Sequence, residues 1–236
     1  MKESTAKQLL EKVKRDYALI ASDFDMTRRG NWEDFSVFDK YLKDGYEILD
    51  IGCGNGRLLD YLNEKARISY KGVDNNEKFI EIAKKKGSFF KIGDFLALPY
   101  SNCEFDLVLS VAVFHHIPSR KLRVEALDEV SRVMKDGGVG VFLVWNLWQK
   151  RYFLAYIKSL LRFLFSFGKY DRHDFFITWG KKVKRYYHAF TQHELVNLFQ
   201  KSGLQLENVS LSPSKKNFVI IFSKNGKRGK SNGCEV

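Results

Sequence analysis

The 236-residue sequence carries a formal net charge of +12, with 44% apolar and 29% charged residues. This composition is typical of a folded globular chain and excludes a disordered or collagen-like one. Residues 1–14 are polar and lysine-rich, unlike a secretory signal peptide. The longest apolar run, residues 152–167, contains Lys158 and Arg162 and is shorter than the ~20 residues of a membrane-spanning helix. We therefore expect a cytoplasmic protein without a transmembrane segment.

The charge is unevenly distributed along the chain. Residues 1–145 contain 23 basic and 23 acidic residues, whereas residues 146–236 contain 17 basic and 5 acidic ones. A basic segment that follows a neutral one indicates a polyanionic partner, because lysine and arginine bind phosphate groups. A lysine-rich tail that only improves solubility is the plainer explanation for part of the excess.

The predicted elements alternate between strands and helices over most of the chain. Apolar residues at helical spacing predict two helices, at 4–21 and 32–42, before the alternation begins. The alternation itself comprises strands at 47–51, 69–73, 88–92, 105–111 and 138–145, and helices at 57–63, 76–86 and 121–134. This order predicts a doubly wound α/β domain with a mostly parallel sheet.

The last predicted elements complete this sheet. A helix at 192–201 begins after Thr191, a plausible N-cap residue, and leads to two strands at 204–211 and 217–222. The turn-like Ser212-Pro213-Ser214 between these strands predicts that they pair antiparallel. We therefore expect seven strands, with an antiparallel strand at the C-terminal end of the sheet.

One domain over residues 1–223 accounts for all these elements. Within it, we expect residues 1–45 to form a helical lid and the basic, aromatic residues 146–190 to form an insertion that contacts the substrate. The remaining residues, 224–236, are rich in glycine and lysine, which predicts a disordered basic tail.

Three glycines follow the first strand of the alternation, in the sequence Asp50-Ile51-Gly52-Cys53-Gly54-Asn55-Gly56. Glycine lets the backbone approach a ligand closely, and the N-terminus of the next helix carries a partial positive charge. The Gly-x-Gly-x-Gly spacing differs from the Gly-x-Gly-x-x-Gly fingerprint of dinucleotide-binding domains. It resembles motif I of class I methyltransferases dependent on S-adenosyl-L-methionine (SAM), in which this loop wraps around the methionine part of SAM.

Further candidates for cofactor binding stand at the ends of the next strands. Asp74 ends the second strand, where an acid can accept hydrogen bonds from both ribose hydroxyls of a nucleoside. The methyltransferase resemblance implies that Asp94 contacts the adenine amino group and that Phe95 packs on the ring. The predicted cofactor-binding residues are Tyr17, Asp50, Gly52, Cys53, Gly54, Asn55, Gly56, Asp74, Asn75, Asp94, Phe95, Ser110 and Val111.

A more specific resemblance covers nearly the whole chain. The segments Tyr17-Ala18-Leu19-Ile20-Ala21, Ser110-Val111-Ala112-Val113-Phe114-His115-His116 and Arg185-Tyr186-Tyr187-His188-Ala189-Phe190 are similar to segments of the tRNA wobble-uridine methyltransferases. That family esterifies 5-carboxymethyluridine and includes the methyltransferase domain of an AlkB-homologue protein. The chain departs from it at Phe218, where tryptophan is usual, and in the aromatic character of residues 150–170.

The resemblance implies a carboxylate in the anticodon loop of a tRNA as the methyl acceptor. A carboxylate is already anionic, so its methylation needs no general base and can rest on orientation and desolvation. We expect Arg28, Arg185 or His188 to hold this carboxylate or a nearby phosphate. His115 is either an acid or base or a buried structural histidine. The resemblance also implies a small zinc-binding activator subunit, whereas the sequence suggests no metal site in this chain.

Two other functions fit the same residues. Residues 150–167 have the composition of an amphipathic helix on anionic lipid, which would suit a SAM methyltransferase of a lipid or quinone-like molecule. The same segment also fits a lid over the substrate pocket. A catalytically silent scaffold that binds RNA is the second alternative, although the intact glycine loop with Asp74 and Asp94 argues against a dead cofactor site.

Overall fold

The computed structural model describes residues 1–28, 30–180 and 182–225. The helices are α1 (Glu3–Thr27), α2 (Arg57–Asn63), α3 (Glu77–Ala83), α4 (Arg120–Val133), α5 (Phe153–Phe165) and α6 (Gln192–Phe199). The strands are β1 (Glu47–Ile51), β2 (Ser69–Asp74), β3 (Phe90–Ile92), β4 (Phe105–Val111), β5 (Met134–Trp145), β6 (Asp174–Trp179), β7 (Val183–His188), β8 (Leu204–Leu211) and β9 (Asn217–Lys224). Within these described ranges, no helix combines the length and the apolar character needed to cross a bilayer.

Seven strands form one sheet in the order β3-β2-β1-β4-β5-β9-β8. The first five are mutually parallel, and β9 runs antiparallel to both of its neighbours, β5 and β8. The prediction of a doubly wound, mostly parallel seven-stranded sheet with an antiparallel C-terminal strand is therefore confirmed. The strand order reverses between β1 and β4, and in such sheets ligands bind outside the carboxyl ends of the strands at this point.

Helices cover both faces of the sheet because its strands alternate their side chains. In β1, Leu49 and Ile51 belong to the core beneath α4 and α6, whereas Ile48 belongs to the core beneath α2 and α3. Both cores are nearly free of solvent, as Leu127 on α4 and Leu62 on α2 are fully buried. The helices and the sheet thus fix the carboxyl ends of β1, β2 and β4 relative to one another.

Several boundaries differ from the sequence-based expectations. The helix expected at 32–42 is a 3₁₀ helix, Glu33–Tyr41, in which Phe35 and Phe38 are buried. Side chains three residues apart share one face of a 3₁₀ helix, which explains this geometry. Strand β5 begins at Met134 rather than at residue 138, and its pairing with β4 is irregular between Phe105 and Leu107.

The segment 146–190, which we expected to be an insertion, contains regular secondary structure with its own small core. Strands β6 and β7 pair antiparallel into a separate two-stranded sheet, and α5 packs against β6. A small core holds these elements together, with Phe175 and Tyr187 fully buried in it. Of the predicted tail, Lys224 belongs to β9, and residues 226–236 lie outside the described residues.

Candidate active site

A cavity of about 490 Å³ opens at the carboxyl ends of β1, β2 and β4, a volume within the usual range of small-ligand sites. One end, the glycine-loop end, is lined by residues of segments 50–58, 73–76 and 93–96. The other end, the basic end, is lined by Trp145, Asn146, Gln149, Arg151, Tyr152, Arg185, Lys216 and Asn217. Residues of α1 line the cavity between the two ends.

The glycine loop lies tightly between β2 and the segment that follows β4. Gly52 and Gly54 have φ angles of +75° and +54°, in the left-handed region that glycine adopts readily. The Gly52 amide donates to the Val73 carbonyl at 2.7 Å, and a Cβ atom at Gly52 would lie 2.2 Å from Val113 Cγ2. At Gly54, by contrast, a Cβ would meet no atom within 4 Å. The loop therefore leaves space for a ligand beside Gly54.

Asp50 supplies a buried carboxylate at this end. Its side chain is 2% exposed, and Oδ2 accepts a hydrogen bond of 2.7 Å from the Tyr70 hydroxyl. The pKa of Asp50 is raised to about 7, chiefly by burial and also by the Asp74 carboxylate, while the hydrogen bond from Tyr70 and the charge of Arg57 oppose the shift. Its other oxygen, Oδ1, has no hydrogen-bond partner among the described residues. A buried oxygen of this kind fits a cationic ligand group such as an ammonium.

Asp74 and Asp94 offer further acceptors along the same wall. The Asp74 oxygens accept from the Gly54 amide at 3.0 Å and from the Asn76 amide at 2.9 Å, and each keeps a second lone pair. Burial raises the pKa of Asp74 to about 6. Asn75 donates to Asp94 at 3.2 Å. Two acidic side chains that follow adjacent strands fit the hydroxyl and amino groups of a nucleoside.

Helix α1 closes the cavity and is tied to the glycine loop. Asn55 Nδ2 donates to Asp25 Oδ1 at 2.8 Å and to the Arg28 carbonyl at 3.4 Å. The Arg28 guanidinium lies over the ring of Trp179, 5.3 Å from its centroid. Arg57, which the sequence analysis missed, also lines the cavity; its pKa falls to about 10 because of burial and the nearby Arg28.

Arg185 dominates the basic end. Its side chain is 3% exposed, and Nη1 donates to the Tyr17 hydroxyl at 3.0 Å. Its Nε has no partner, and no carboxylate of the described residues pairs with the guanidinium. Aromatic rings surround it instead, with the Trp179 centroid at 4.5 Å and the Tyr187 centroid at 5.2 Å. A buried cation without an anion is unfavourable, so this arrangement suits an anionic ligand.

His116, rather than the neighbouring His115, faces the cavity. Its Nδ1 lies 2.8 Å from the Tyr186 carbonyl, which can only accept, so Nδ1 carries the proton. The Tyr17 hydroxyl therefore donates to His116 Nε2 at 2.8 Å. Burial lowers the pKa of His116 to about 3, which keeps the ring neutral. Arg185, Tyr17 and His116 thus form one directed chain of hydrogen bonds across the cavity.

His115 and His188, two of the four predicted catalytic residues, do not line the cavity. His115 is fully buried, its Nδ1 accepts from the Trp145 amide at 3.2 Å, and burial lowers its pKa well below the usual value. His188 lies between Asp174 at 3.2 Å and Glu194 at 2.7 Å. These contacts hold β7 to β6 and α6 and keep His188 away from the cavity that Arg185 lines.

The other predicted residues can be placed directly. Ser110 is buried, with its hydroxyl donating to the Ile51 carbonyl at 3.0 Å, and Gly56 stands at the start of α2 beneath Phe90. Neither lines the cavity. The predicted residues that the structure brings together around it are Tyr17, Arg28, Asp50, Gly52, Cys53, Gly54, Asn55, Asp74, Asn75, Asp94, Phe95, Val111 and Arg185.

Comparisons with known proteins fit this geometry. Residues 49–142 match the family model described as methyltransferase domain. A protein of Encephalitozoon cuniculi named only as a methyltransferase is 35% identical over 82% of this chain and 87% of its own length. The tRNA (carboxymethyluridine(34)-5-O)-methyltransferase of Schizosaccharomyces pombe is 32% identical over 82% of this chain and 88% of its own length. The mouse enzyme of that name, ALKBH8, is 34% identical over 58% of this chain, which spans only 20% of that protein.

Solved structures share the fold. A SAM-dependent methyltransferase of Methanosarcina mazei superposes with a TM-score of 0.67 at 24% identity, over 81% of this chain and 98% of its own. A chain from the complex of the Haloferax volcanii Trm112 methyltransferase activator with a methyltransferase gives a TM-score of 0.64 at 16% identity, over 92% of this chain and 100% of its own.

Fold, cavity and relatives together define the class as a SAM-dependent methyltransferase of class I, an enzyme. The glycine-loop end fits this cofactor, since it combines an unpartnered carboxylate oxygen on Asp50 with the acceptors of Asp74. Within the class, the chain belongs to the family that contains the tRNA (carboxymethyluridine(34)-5-O)-methyltransferases.

Proposed function

We propose that this enzyme esterifies the carboxylate of a 5-carboxymethyluridine-type nucleoside at the wobble position of a tRNA. The observation that carries the proposal is Arg185, a buried guanidinium that faces the cavity without a carboxylate partner among the described residues. An acceptor carboxylate would supply the missing anion and accept charge-assisted hydrogen bonds from it. Two of the relatives that the chain resembles are named for this reaction.

The cofactor would occupy the glycine-loop end. Asp50 Oδ1 would accept from the ammonium of the methionine part, and Asp74 from the ribose hydroxyls, while Asp94 and Phe95 would hold the adenine. When bound there, SAM supplies an electrophilic methyl group on a sulfonium centre. The chain itself binds, orients and desolvates the two reactants.

The distribution of acids within the cavity supports an acceptor that arrives already ionised. The acidic residues of the lining, Asp50, Asp74 and Asp94, all stand at the glycine-loop end. His116, which Tyr17 links to Arg185, is neutral but uses Nε2 to accept from Tyr17. With the three carboxylates engaged by the cofactor and His116 by Tyr17, no lining base among the described residues would be left to remove a proton from the acceptor, and a carboxylate needs none.

A tRNA also fits the surroundings of the basic end. Arg28, Arg151 and Lys216 line the cavity, and Lys182 and Lys184 are exposed on either side of Val183, where the strand that carries Arg185 begins. Cations suit the phosphates of an anticodon loop, and Trp145 and Tyr152 in the lining suit unstacked bases. A lipid or quinone acceptor is less well matched. Of segment 150–167, only Arg151 and Tyr152 line the cavity, so its apolar residues lie elsewhere.

The same proposal includes a partner and a compartment. The Haloferax volcanii structure contains a methyltransferase with its Trm112 activator, and we infer that a small activator of that kind also binds this chain. We likewise propose that the enzyme acts in the cytoplasm, in keeping with a tRNA substrate.

The test uses three anticodon stem-loops of identical sequence that differ only at the wobble uridine. One carries 5-carboxymethyluridine, the second the corresponding amide, and the third unmodified uridine. We expect methyl transfer from labelled SAM to the acid alone, and a product that mild alkali hydrolyses, as it does a methyl ester. The assay is run with and without an activator subunit. Transfer to the amide or to uridine, or an alkali-stable product, would contradict the proposal.

A further inference from the structure

The outer face of helix α5 is covered with large apolar side chains that remain exposed. Six of them follow one side of the helix, with exposed fractions between 37% and 75%. They are Phe153, Leu154, Ile157, Leu161, Leu164 and Phe165, and we call this set the α5 ridge. Phe167, which is 90% exposed, extends the ridge into the following turn. Contiguous apolar surface of this kind marks an interaction site.

The opposite side of α5 is fixed to the protein, so the ridge cannot turn inward. Ser159 is 1% exposed, and its hydroxyl donates to the Arg172 carbonyl at 2.6 Å. Arg162 Nη1 donates to the Asp174 carbonyl at 3.2 Å. The ring of Tyr156 lies against that of Trp148, at a centroid distance of 5.6 Å. Turning the helix to bury the ridge would break all three contacts.

The exposed charges around the ridge are basic. Five cationic side chains on α5 and its flanks face solvent, namely Lys150, Arg151, Lys158, Lys169 and Arg172. The acids of this segment are engaged elsewhere. Asp171 pairs with the N-terminal ammonium of Met1 at 3.3 Å, and Asp174 is buried with Tyr186 and His188. The surface therefore combines apolar contact with positive charge.

We propose that the α5 ridge docks this enzyme onto an anionic membrane surface. Such a surface accepts both features, since the acyl boundary takes the apolar side chains and the headgroups take the cations. An RNA would pair with the cations but would leave four aliphatic residues of the ridge without a π face for its bases to stack on. An apolar protein groove would bury the ridge but would have no use for the surrounding cations.

Docking leaves the cavity accessible at the edge of the contact. Arg151 and Tyr152 line the basic end, and α5 begins at the next residue. The membrane contact thus lies beside the cavity rather than inside it, and the proposal does not depend on the identity of the methyl acceptor.

The test measures binding to vesicles in sedimentation assays. We expect the protein to bind vesicles of phosphatidylserine mixed with phosphatidylcholine at least about tenfold more strongly than vesicles of phosphatidylcholine alone. The double variant L154E/L161E should bind these vesicles about a hundredfold more weakly, because it replaces two exposed leucines that the membrane would bury. The control L19E/L211E adds the same two charges at leucines exposed on α1 and β8, and should bind as the parent does.

Methyl transfer without vesicles should stay unchanged in L154E/L161E, which shows that the variant is folded. Equal vesicle binding by L154E/L161E and the parent would overturn the proposal. So would a dimer of the parent that the double variant cannot form, because a second copy would then cover the ridge. A tRNA affinity that falls a hundredfold in L154E/L161E, with no vesicle binding by the parent, would assign the ridge to RNA.

Discussion

The two ends of the cavity bury charged groups of opposite sign. At the glycine-loop end, Asp50 and Asp74 are buried carboxylates whose pKa values rise to about 7 and about 6, so both carboxyl groups titrate close to neutral pH. At the basic end, the guanidinium of Arg185 is buried and surrounded by aromatic rings. Among the described residues, neither Asp50 Oδ1 nor Arg185 Nε has a hydrogen-bond partner, and each would gain one from its own ligand. The glycine-loop end therefore suits a cationic cofactor, and the basic end suits an anionic acceptor.

We expect the largest effect on activity from removing the charge of Arg185, which tests whether the basic end binds the acceptor. We expect Arg185→Gln to lower kcat/KM for the carboxylate acceptor by about 10²–10³, because a charged hydrogen-bonding partner of the acceptor is lost. SAM affinity, measured by calorimetry, should stay within about twofold of the parent. Arg172→Gln removes an equal charge from the surface and serves as the control. An equal loss of SAM affinity would show that the two ends are not separate.

The opposite end is tested by Asp74→Asn. We expect the dissociation constant of SAM to rise by about 30- to 100-fold, because two charge-assisted hydrogen bonds to hydroxyl groups are weakened. Glu81→Gln, an exposed change on the neighbouring helix α3, should have no effect. At saturating SAM, the KM for the acceptor should remain that of the parent. Unchanged SAM affinity would mean that the ribose does not bind at Asp74.

The raised pKa of Asp50 predicts a pH dependence for the same end. A cationic ligand group needs the ionised carboxylate, so SAM affinity should fall about tenfold between about pH 8 and about pH 6. Stability without SAM should change in the opposite direction. The folded state holds the Asp50 proton up to about pH 7, and the unfolded state only to about pH 4, so stability decreases as the pH rises through this window.

Calorimetry and thermal unfolding across this pH range would measure both trends. The side chain that the variant Asp50→Asn carries at this position cannot titrate. The pH dependence of SAM affinity and that of stability should therefore both shrink to the smaller contribution of Asp74. A pH dependence of SAM affinity identical to that of the parent would show that Asp50 is not the titrating group.

The smallest expected effect concerns the link between the two ends. Tyr17→Phe removes the hydroxyl that accepts from Arg185 and donates to His116, and should lower kcat/KM for the acceptor by about 3- to 10-fold. Tyr61→Phe loses a hydrogen bond to Asp39 outside the cavity and is the matched control. Steady-state kinetics with the acceptor and with SAM would measure the effect at each end. A loss of SAM binding of the same size would assign the hydroxyl to the glycine-loop end.

Local signals explain why the glycine-loop end could be predicted from the sequence. Asp50 lies in a buried strand, the three glycines follow that strand directly, and Asp74 ends the next strand. Because neighbouring strands of a parallel sheet end at the same edge, these residues are expected to lie close together. Gly56 and Ser110 show the limit of this reasoning. They share the motif segments, but the backbone turns their atoms towards Phe90 and Ile51 rather than into the cavity.

The basic end could be predicted only through resemblance, and then only in part. Its residues come from the end of β5, the segment between β5 and α5, β7, and the start of β9 with the residue before it, and no periodicity in the sequence indicates that they converge. His115 and His116 are neighbours, and the 3₁₀ helix Phe114–His116 decides which ring reaches Tyr17. The β6–β7 hairpin was not predicted because it forms a separate sheet, in which Phe175 and Tyr187 are buried against α5 and the last residue of β5.

The buried carboxylate of Asp34 has a consequence for the order in which the protein is made. It accepts hydrogen bonds from Ser212, Ser214 and Asn217, which follow it by 178 to 183 positions. Strand β9, which begins at Asn217, pairs with β5 and separates it from β8. During synthesis on the ribosome, β5 therefore keeps one edge unpaired until β9 has emerged. Asp34, in the 3₁₀ helix Glu33–Tyr41, likewise cannot form these hydrogen bonds before residues 212–217 have been made. The rim of the cavity beside Lys216 is thus among the last parts of the enzyme to acquire its shape.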